Sequence, residues 1–534
     1  MKDILITTIK QLIKLKPKTR EEISNIKRKI AGKFKLPPPQ NFKLIKAYQE
    51  LLSKKKIKPD ANLERLLIKR EVRTLSGVAP IAVLTKPYTC PGQCVYCPTE
   101  KSVPKSYLSN EPAVMRAIAC NYDPYKQVQA RIKTLEANGH PTDKLELIVI
   151  GGTWSALPRR YQNWFIKRCF EAANETKSRI KNLKSAQKIN ETAKHRIIGI
   201  TLETRPDYIT PEEIQRMREL GCTRVELGVQ SIYDSILQRN CRGHNVAETI
   251  RATKLLKDAG FKVCYHLMPN LPGATPESDL AMFREIFTSP DFQPDMIKIY
   301  PCVVTYGSKI YKWWKQGKYK PYSEKQLINL LIEIKKIIPP YVRINRLIRD
   351  IPSTSIEAGN KISNLREIVA QEMVRRGVEC KCIRCREIGH QIKIQNSKRK
   401  KQNYNLKLKM VKRKYQASGG TEYFISFESP DKKILYAFVR LRIPDFKTPP
   451  ILPELRDAAL IRELHTYGQL VPIDQNVPLA AQHTGLGKKL MAEAERIAKM
   501  YGVKKIAVIS GIGVREYYRK LGYRKEGTYM VKTI

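Results

Sequence analysis

The chain has 534 residues, with 99 Lys and Arg against 50 Asp and Glu, a formal net charge of +49. That length exceeds one ordinary hydrophobic core, so two or three domains are expected, and the 42% apolar share can build them. The charge argues against a basic partner and for a polyanion, nucleic acid first, because cationic side chains release its counterions. No apolar run approaches membrane-spanning length, so a membrane role is not expected. Twelve cysteines, two groups of them tightly clustered, read as metal ligands in a reducing, cytoplasmic compartment. The first ten residues carry an acid and no cleavage-site pattern, unlike a signal peptide.

Residues 1–75 form a basic helical segment. Leu5, Ile9, Leu12 and Ile13 recur at helical spacing, and Pro37, Pro38 and Pro39 break the pattern. Basic clusters at Lys27–Lys29 and Lys54–Lys56 make it a candidate RNA-binding surface. Residues 76–375 alternate short apolar runs with amphipathic segments. The runs are Ile81–Leu84, Leu145–Ile150, Ile197–Leu202, Arg224–Val229, Lys262–Met268, Met296–Tyr300 and Val342–Leu347. Such alternation predicts parallel βα units, in an open or closed α/β barrel whose site lies at the C-terminal strand ends. The stretch Asn174–Lys194 reads as a long helix with a solvated, charged loop.

Directly after the first run stand Cys90, Cys94 and Cys97, spaced C-x3-C-x2-C. Three thiolates can each take one iron of a cubane cluster and leave the fourth iron open to a small molecule. Zinc sites usually come in two paired halves, and no second half lies nearby. Tyr96 before the last cysteine completes a likeness to the radical S-adenosylmethionine (SAM) signature, in which the open iron chelates SAM. Strand-end residues suited to SAM follow. Gly151 and Gly152 allow close backbone approach, and Glu203 can bind ribose hydroxyls or an amine. Gly228–Ser231, Arg242–His244 and His266–Gly273 are further clusters of this kind.

Cys380, Cys382 and Cys385 in the 376–415 linker can reach one zinc ion, with His390 or Cys302 as the fourth ligand. Lys398–Lys401 and Lys412–Lys414 make the linker basic. In residues 416–534 the pattern changes to alternating strands at Glu422–Phe427 and Leu435–Arg442, and a longer one at Leu460–Val471. Gln482, His483, Gly485, Leu486, Gly487 and Lys488 then precede an amphipathic helix. Free backbone N–H groups there suit a pyrophosphate, as in the acetyl-CoA loop of GNAT-type acyltransferases. A strand at Lys504–Ser510 and a helix at Val514–Tyr523 complete the pattern, and Tyr517 or Tyr518 is placed to protonate a leaving thiolate.

The expected fold is therefore α/β: a partial (β/α) barrel followed by a mixed α/β acyltransferase-like domain. This combination resembles the catalytic subunit of Elongator in its archaeal stand-alone form, from about residue 75 to the C-terminus. The most specific stretches are Cys90–Pro98, Glu111–Ala117, Glu463–Gly468, Gln482–Lys488 and Tyr517–Tyr523. The resemblance implies a 4Fe-4S cluster, SAM, zinc, acetyl-CoA as substrate and the tRNA anticodon stem-loop as partner. It also implies a reaction: a deoxyadenosyl radical removes hydrogen from the acetyl methyl group, the carbon radical adds to C5 of the wobble uridine, and thioester hydrolysis leaves 5-carboxymethyluridine. The rival readings are a protein lysine acetyltransferase with a structural iron–sulfur domain, in which Glu463 serves as general base, and an RNA-binding scaffold. Self-association stays open, and the two cofactor sites are expected to share one cleft.

Overall fold

The computed structural model describes residues 2–68, 76–176, 180–389, 408–467 and 485–534. Gln482, His483, His390 and the basic run Lys398–Lys401 lie outside them. The basic segment folds as four helices, α1 (Lys2–Leu15), α2 (Arg20–Lys33), α3 (Asn41–Ser53) and α4 (Ala61–Leu67). Ile9 and Leu12 are buried against Ile23, Leu44, Tyr48 and Leu67, with Leu5 and Ile13 at the edge. The three prolines fall between α2 and α3, and the side chains of Thr19 and Asp60 cap α2 and α4.

Each of the seven apolar runs is a strand. In order they are β1 (Ala79–Leu84), β2 (Lys144–Ile150), β3 (Arg196–Thr204), β4 (Arg224–Gln230), β5 (Lys262–Leu267), β6 (Met296–Ile299) and β7 (Arg343–Arg346). They pair in parallel in that order, and the sheet stops at β1 on one side and β7 on the other. The result is a partial barrel. Successive side chains point to opposite faces. Val225, Leu227 and Val229 of β4 therefore join the apolar core under the outer helices, while Arg224, Glu226, Gly228 and Gln230 face the interior. The same alternation sends Lys144, Glu146, Ile148 and Ile150 of β2 inward.

One stretch of the barrel differs from expectation. Among the described residues, Asn174–Lys194 holds one short helix, α5 (Leu183–Asn190), and the region is solvated on one side only: Lys184, Lys188 and Lys194 are exposed, while Ala186, Asn190 and Glu191 are buried. Asn190 accepts from the Ile197 backbone at 2.7 Å and so fastens this segment to β3. Helix α6 (Val246–Asp258) precedes β5 and opens with a capping box at Asn245 and Glu248.

A short helix, α7 (Ile383–Arg386), leads to the second sheet. Its strands are β8 (Lys409–Ala417), β9 (Gly420–Glu428), β10 (Leu435–Ile443), β11 (Ala458–Thr466), β12 (Lys505–Val508), β13 (Arg524–Glu526) and β14 (Tyr529–Thr533). The spatial order is β8-β9-β10-β11-β12-β14-β13, mixed because β11 and β12 run parallel. The long strand predicted over Leu460–Val471 ends at Thr466. The helix predicted over Val514–Tyr523 shrinks to α9 (Arg515–Arg519), with Leu521–Tyr523 turned back onto Tyr518.

One face of this sheet is apolar: Ile425, Val439, Leu441 and Ile461 pack under α8 (Leu486–Met500). The other face is ionic. Glu422, Arg440, Arg442 and Arg462 are buried on it, and they meet the barrel at the N-terminal ends of its strands. Arg462 donates to Asp295 at 2.9 and 2.5 Å and to the Phe261 carbonyl at 2.6 Å. Arg442 donates to Asp258 at 2.9 and 2.5 Å, and Arg440 to the Tyr341 carbonyl at 2.7 Å. Beside them Gly511 and Gly513 lie against β3. A Cβ on Gly511 would stand 1.9 Å from the Ile198 carbonyl oxygen. The second module thus forms the floor of the half barrel.

Candidate active site

At the top of the barrel the cysteine loop leaves β1 and is held on two sides. The Val95 N–H donates to the Asn240 carbonyl at 3.2 Å, and the Val95 carbonyl accepts from Ile310 at 2.9 Å. Gly92 sits between two sulfurs: a Cβ there would be 3.6 Å from Cys94 Sγ and 3.7 Å from Cys90 Sγ. The bare backbone leaves a cradle that a side chain would fill. Arg242 Nη1 lies 3.6 Å from Cys94 Sγ, while its other nitrogens donate to the Gly228 carbonyl. The hydrogen bond between Cys97 and Cys94 lowers the Cys94 thiol and raises that of Cys97, and Arg242 adds to the lowering of Cys94, so the pair favours one negative charge on Cys94. A loop of three cysteines beside a buried guanidinium fits an iron–sulfur cluster, whose negative charge Arg242 would partly balance.

Gly151 and Gly152 close β2. A Cβ on Gly151 would overlap Thr85 Oγ1 at 2.1 Å, whereas Gly152 faces open space at a φ of +104°. Glu203 ends β3 and accepts from Tyr107 at 3.3 Å, with Lys298 at 3.6 Å and His266 at 3.9 Å. Below it, Glu226 pairs with Lys298 and accepts from His266 at 3.0 Å. Burial alone would raise Glu226, but Lys298, then His266 and Arg224, hold its carboxyl well below the usual range. Arg224 in turn donates to Glu146 at 2.6 Å. The interior is thus a ladder of charges rather than the packed apolar core of a closed barrel.

The sequence reading missed Tyr107, Glu226 and Lys298. The signal was present, since Glu226 and Lys298 are charged residues at inward positions in the middle of largely apolar runs. Glu111, in a stretch the resemblance singled out, accepts from Arg349 at 2.9 Å, and the Arg349 guanidinium lies 4.5 Å over the Tyr107 ring.

On the floor, α8 begins at Leu486 behind Gly485, which takes the left-handed conformation at a φ of +76°. Gly487 lies in the first turn, and a Cβ on it would be 2.6 Å from the Tyr517 hydroxyl and 3.8 Å from Thr466 Oγ1. Gly485, Leu486, Gly487, Lys488, Tyr517 and Tyr518 all border the same space. Tyr518 packs into the core beneath α8, and burial raises its phenol. Tyr517 is half-buried and is also raised by burial, so its hydroxyl is protonated at neutral pH. Beyond Ile461, β11 parts from β12, and Glu463–Tyr467 open onto the cavity. Glu463 accepts from Arg440 at 2.9 Å and lies 3.8 Å from Lys262. Burial works against its charge, yet Lys262 and Arg440 hold its carboxyl below the usual range.

Top and floor belong to one cavity of about 1700 Å³, lined at one end by Cys90, Cys94 and Cys97 and at the other by Gly487 and Tyr517. The residues expected at the two cofactor sites, apart from Gly151 and those outside the described residues, thus border one space.

The second cysteine group lies at the junction. The sulfurs of Cys380, Cys382 and Cys385 come within 4.8 Å of one another, close enough for a single ion. Cys302 is not the fourth member: it is buried with Ile236, Leu271 and Val304 at the top of the barrel. Its sulfur faces Tyr319 instead. Around the thiols, Ile383 N–H donates to the Val342 carbonyl at 3.0 Å, Glu387 accepts from Arg343 at 2.6 Å, and Arg386 pairs with Glu428 at 3.0 Å. The helix α7 therefore stitches β7 to β9.

A parallel half barrel whose first strand delivers a three-cysteine loop defines a radical SAM protein. The chain matches the Radical SAM superfamily over residues 85–286 and the radical SAM C-terminal domain over residues 294–375. It is 51% identical over 505 residues to the tRNA uridine(34) acetyltransferase of Methanocaldococcus infernus, covering 93% of this chain and 92% of that protein. It is 41% identical over 547 residues to Elongator complex protein 3 of Homo sapiens, covering 98% and 96%. The solved structure of archaeal Methanocaldococcus infernus Elp3 lacking residues 1–46 superposes with a TM-score of 0.75 at 49% identity, covering 86% of this chain and all of that one. The chain belongs to the Elongator complex protein 3 family, which includes the tRNA uridine(34) acetyltransferases.

Proposed function

We propose that this protein is a tRNA uridine(34) acyltransferase that converts the wobble uridine to 5-carboxymethyluridine with acetyl-CoA and SAM. The observation that carries the reading is the single cavity joining the thiolate loop to the start of α8. A radical made at one end and an acyl donor held at the other have no need to cross solvent. Cys90, Cys94 and Cys97 hold three irons, and Arg242 offsets the added negative charge. When bound, the cluster with SAM supplies one-electron hydrogen-abstraction chemistry. The Gly152 backbone and Glu203 hold SAM, with Tyr107, His266 and Lys298 fixing the Glu203 carboxylate. The backbone N–H groups of Gly485–Lys488, with Gln482 and His483 just before them in the sequence, hold the acetyl-CoA pyrophosphate. Tyr517 donates to the acyl donor, and burial keeps it protonated for that task. Cys380, Cys382 and Cys385 hold zinc.

The four-helix segment supplies the basic surface for the anticodon stem-loop, carrying 21 Lys and Arg against 7 Asp and Glu over residues 1–75. Among the described residues no helix is long and apolar enough to cross a membrane. The lysine acetyltransferase reading asks Glu463 to act as a base, but a carboxylate paired with Arg440 and Lys262 is a poor one.

The test is anaerobic. Reconstituted protein is given SAM, dithionite, acetyl-CoA and tRNA, and carboxymethyluridine and deoxyadenosine are followed by mass spectrometry. Both products are expected, and both are lost in Cys94→Ala. A well-formed cluster that yields deoxyadenosine but no modified uridine would overturn the assignment.

A further inference from the structure

We propose that the short helix Lys309–Lys315 and the turn before it form a stacking platform for the RNA loop, on which Tyr306 carries a base beside the wobble uridine. This rests on the tRNA reading above and adds to it the place where the unstacked loop is held.

Sequence comes first. From Pro301 to Tyr322 stand five lysines, Lys309, Lys312, Lys315, Lys318 and Lys320, and six Tyr and Trp, with no Asp or Glu. Rings interleaved with cations suit single-stranded RNA, whose bases lie on the rings and whose phosphates meet the charges.

The fold seats this stretch beside the cysteine loop. Ile310 is tied to Val95 by the hydrogen bond described above, and Tyr96 packs in one cluster with Ile310, Trp313 and Trp314. A Cβ on Gly307 would stand 3.3 Å from the Thr99 carbonyl oxygen. Thr99 accepts from Lys105, which borders the cavity. Val304 and Thr305 are extended and pair with Ile356–Ala358. Val303 and Thr305 border the cavity, whereas Tyr306, the next residue, is 74% exposed. The ring therefore stands on the outer surface one residue from the cavity wall.

The surface itself is a row of rings. Tyr306 meets Tyr311 at 5.5 Å between centroids, and Tyr311 meets Trp314 at 5.9 Å. Lys315 lies over Trp314 at 4.9 Å and over Tyr311 at 5.7 Å. The row holds Tyr306 from one side, and at 74% exposure at least one face of its ring is bare. Lys309, Lys312, Lys318 and Lys320 are exposed around it. Rings left open to water and rimmed by charge mark a binding surface, and five cations without an acid select a polyanion. The nearby cavity selects which one. The wobble uridine has to leave its stack to enter, so a neighbouring base loses a partner, and Tyr306 replaces it. Phosphates on the four-helix segment position the RNA, and the platform keeps its loop open.

The experiment compares Tyr306→Ala and Tyr306→Trp with wild type. Tyr306→Ala is expected to weaken tRNA binding about tenfold, the scale of one base–aromatic stack, and to lower carboxymethyluridine as much at subsaturating tRNA. Tyr306→Trp offers a similar face and is expected to bind as wild type does. Both should keep the melting temperature and the deoxyadenosine formed without tRNA, since most of this ring lies outside the fold. Salt separates ring from charge. The slope of log affinity against log salt should be unchanged in Tyr306→Ala, because a stack releases no counterions, and should flatten by about 0.7 in Lys312→Gln. Wild-type affinity and product in Tyr306→Ala would overturn the platform and leave the proposed function standing. Wild-type protein that modifies no tRNA would instead overturn the function.

Two further probes bear on the occupant. In tRNA carrying 2-aminopurine on either side of the wobble uridine in turn, emission at one position is expected to stay quenched on wild type and to rise on saturating Tyr306→Ala. Equal emission on both proteins at both positions would refute the stack. Vesicles of phosphatidylglycerol offer a different polyanion. Retention on them of wild type but not of Tyr306→Ala, with equal tRNA affinity, would give the surface to lipid and overturn the proposal.

Discussion

On the floor the Tyr517 hydroxyl lies against Gly487, and glycine is what permits it. A methyl group on Gly487 would stand 2.6 Å from that hydroxyl. Because the hydroxyl is the far end of a side chain that can swing, Gly487→Ala should cost little stability and mainly displace Tyr517. We expect KM for acetyl-CoA to rise about tenfold in Gly487→Ala and in Tyr517→Phe, and the double variant to be little worse than either, as for residues acting as a unit. Steady-state kinetics of the cycle checks it, and additive losses would mean that the two act separately. From the sequence the two tyrosines were equivalent neighbours in a presumed helix. Folding separates them, since Tyr518 enters the core under α8 and Tyr517 faces the cavity. The thiol loops were legible because their ligands are local. Arg242 beside Cys94, 148 positions away, was legible only as one of several strand-end residues.

At the scale of elements, two short pieces join the modules. The first is the loop of Gly511 and Gly513, which rests on the start of β3 so closely that a Cβ on Gly511 would meet backbone rather than a movable side chain. Gly511→Ala should therefore destabilise by about 1–3 kcal/mol, the usual cost of overpacking, and lower the melting temperature. Gly32, on an exposed helix face with open space around it, is the control, where alanine should stabilise slightly. The second is α7 with its three thiols. Cys382→Ser should reduce bound zinc by elemental analysis and lower the melting temperature, while the iron content of the first loop stays unchanged. Loss of iron and zinc together would show instead that the whole chain had unfolded. Strands were well marked in the sequence, because parallel strands covered by helices read as apolar runs. Their inner faces were not, because the charges on them are paired across strands and nothing local announces the pairing.

Over the whole molecule, the modules are locked by charges buried in both. Lys257 is fully buried between Asp295 and Glu422, each 3.8 Å away. Burial lowers it from the usual 10.5 to about 8. The unfolded chain therefore binds more protons than the folded one between about pH 8 and 10.5, and stability contributed by this group rises with pH through that window and is lost as pH falls towards 8. Lys257→Met should flatten that slope in denaturant unfolding series run from pH 7.5 to 10. At neutral pH it should cost little, since Arg440, Arg442 and Arg462 still pair the two acids. A retained slope would place the titration elsewhere. Neither this lock nor the seating of one module on the other was legible in the sequence, because the pairs that make it join residues far apart in the chain, 167 positions for Arg462 and Asp295 and 184 for Arg442 and Asp258.

In most barrels of this kind the two ends divide the labour: loops at the strand C-termini do chemistry, and the opposite end carries stability. Here the opposite end is the seat of the second module, whose Gly487 and Tyr517 border the same cavity as the cysteine loop. No end is left over to absorb mutation, so stabilising changes to this protein should be found on the outer helices and the four-helix segment, and drift in the barrel itself should be slow at both rims.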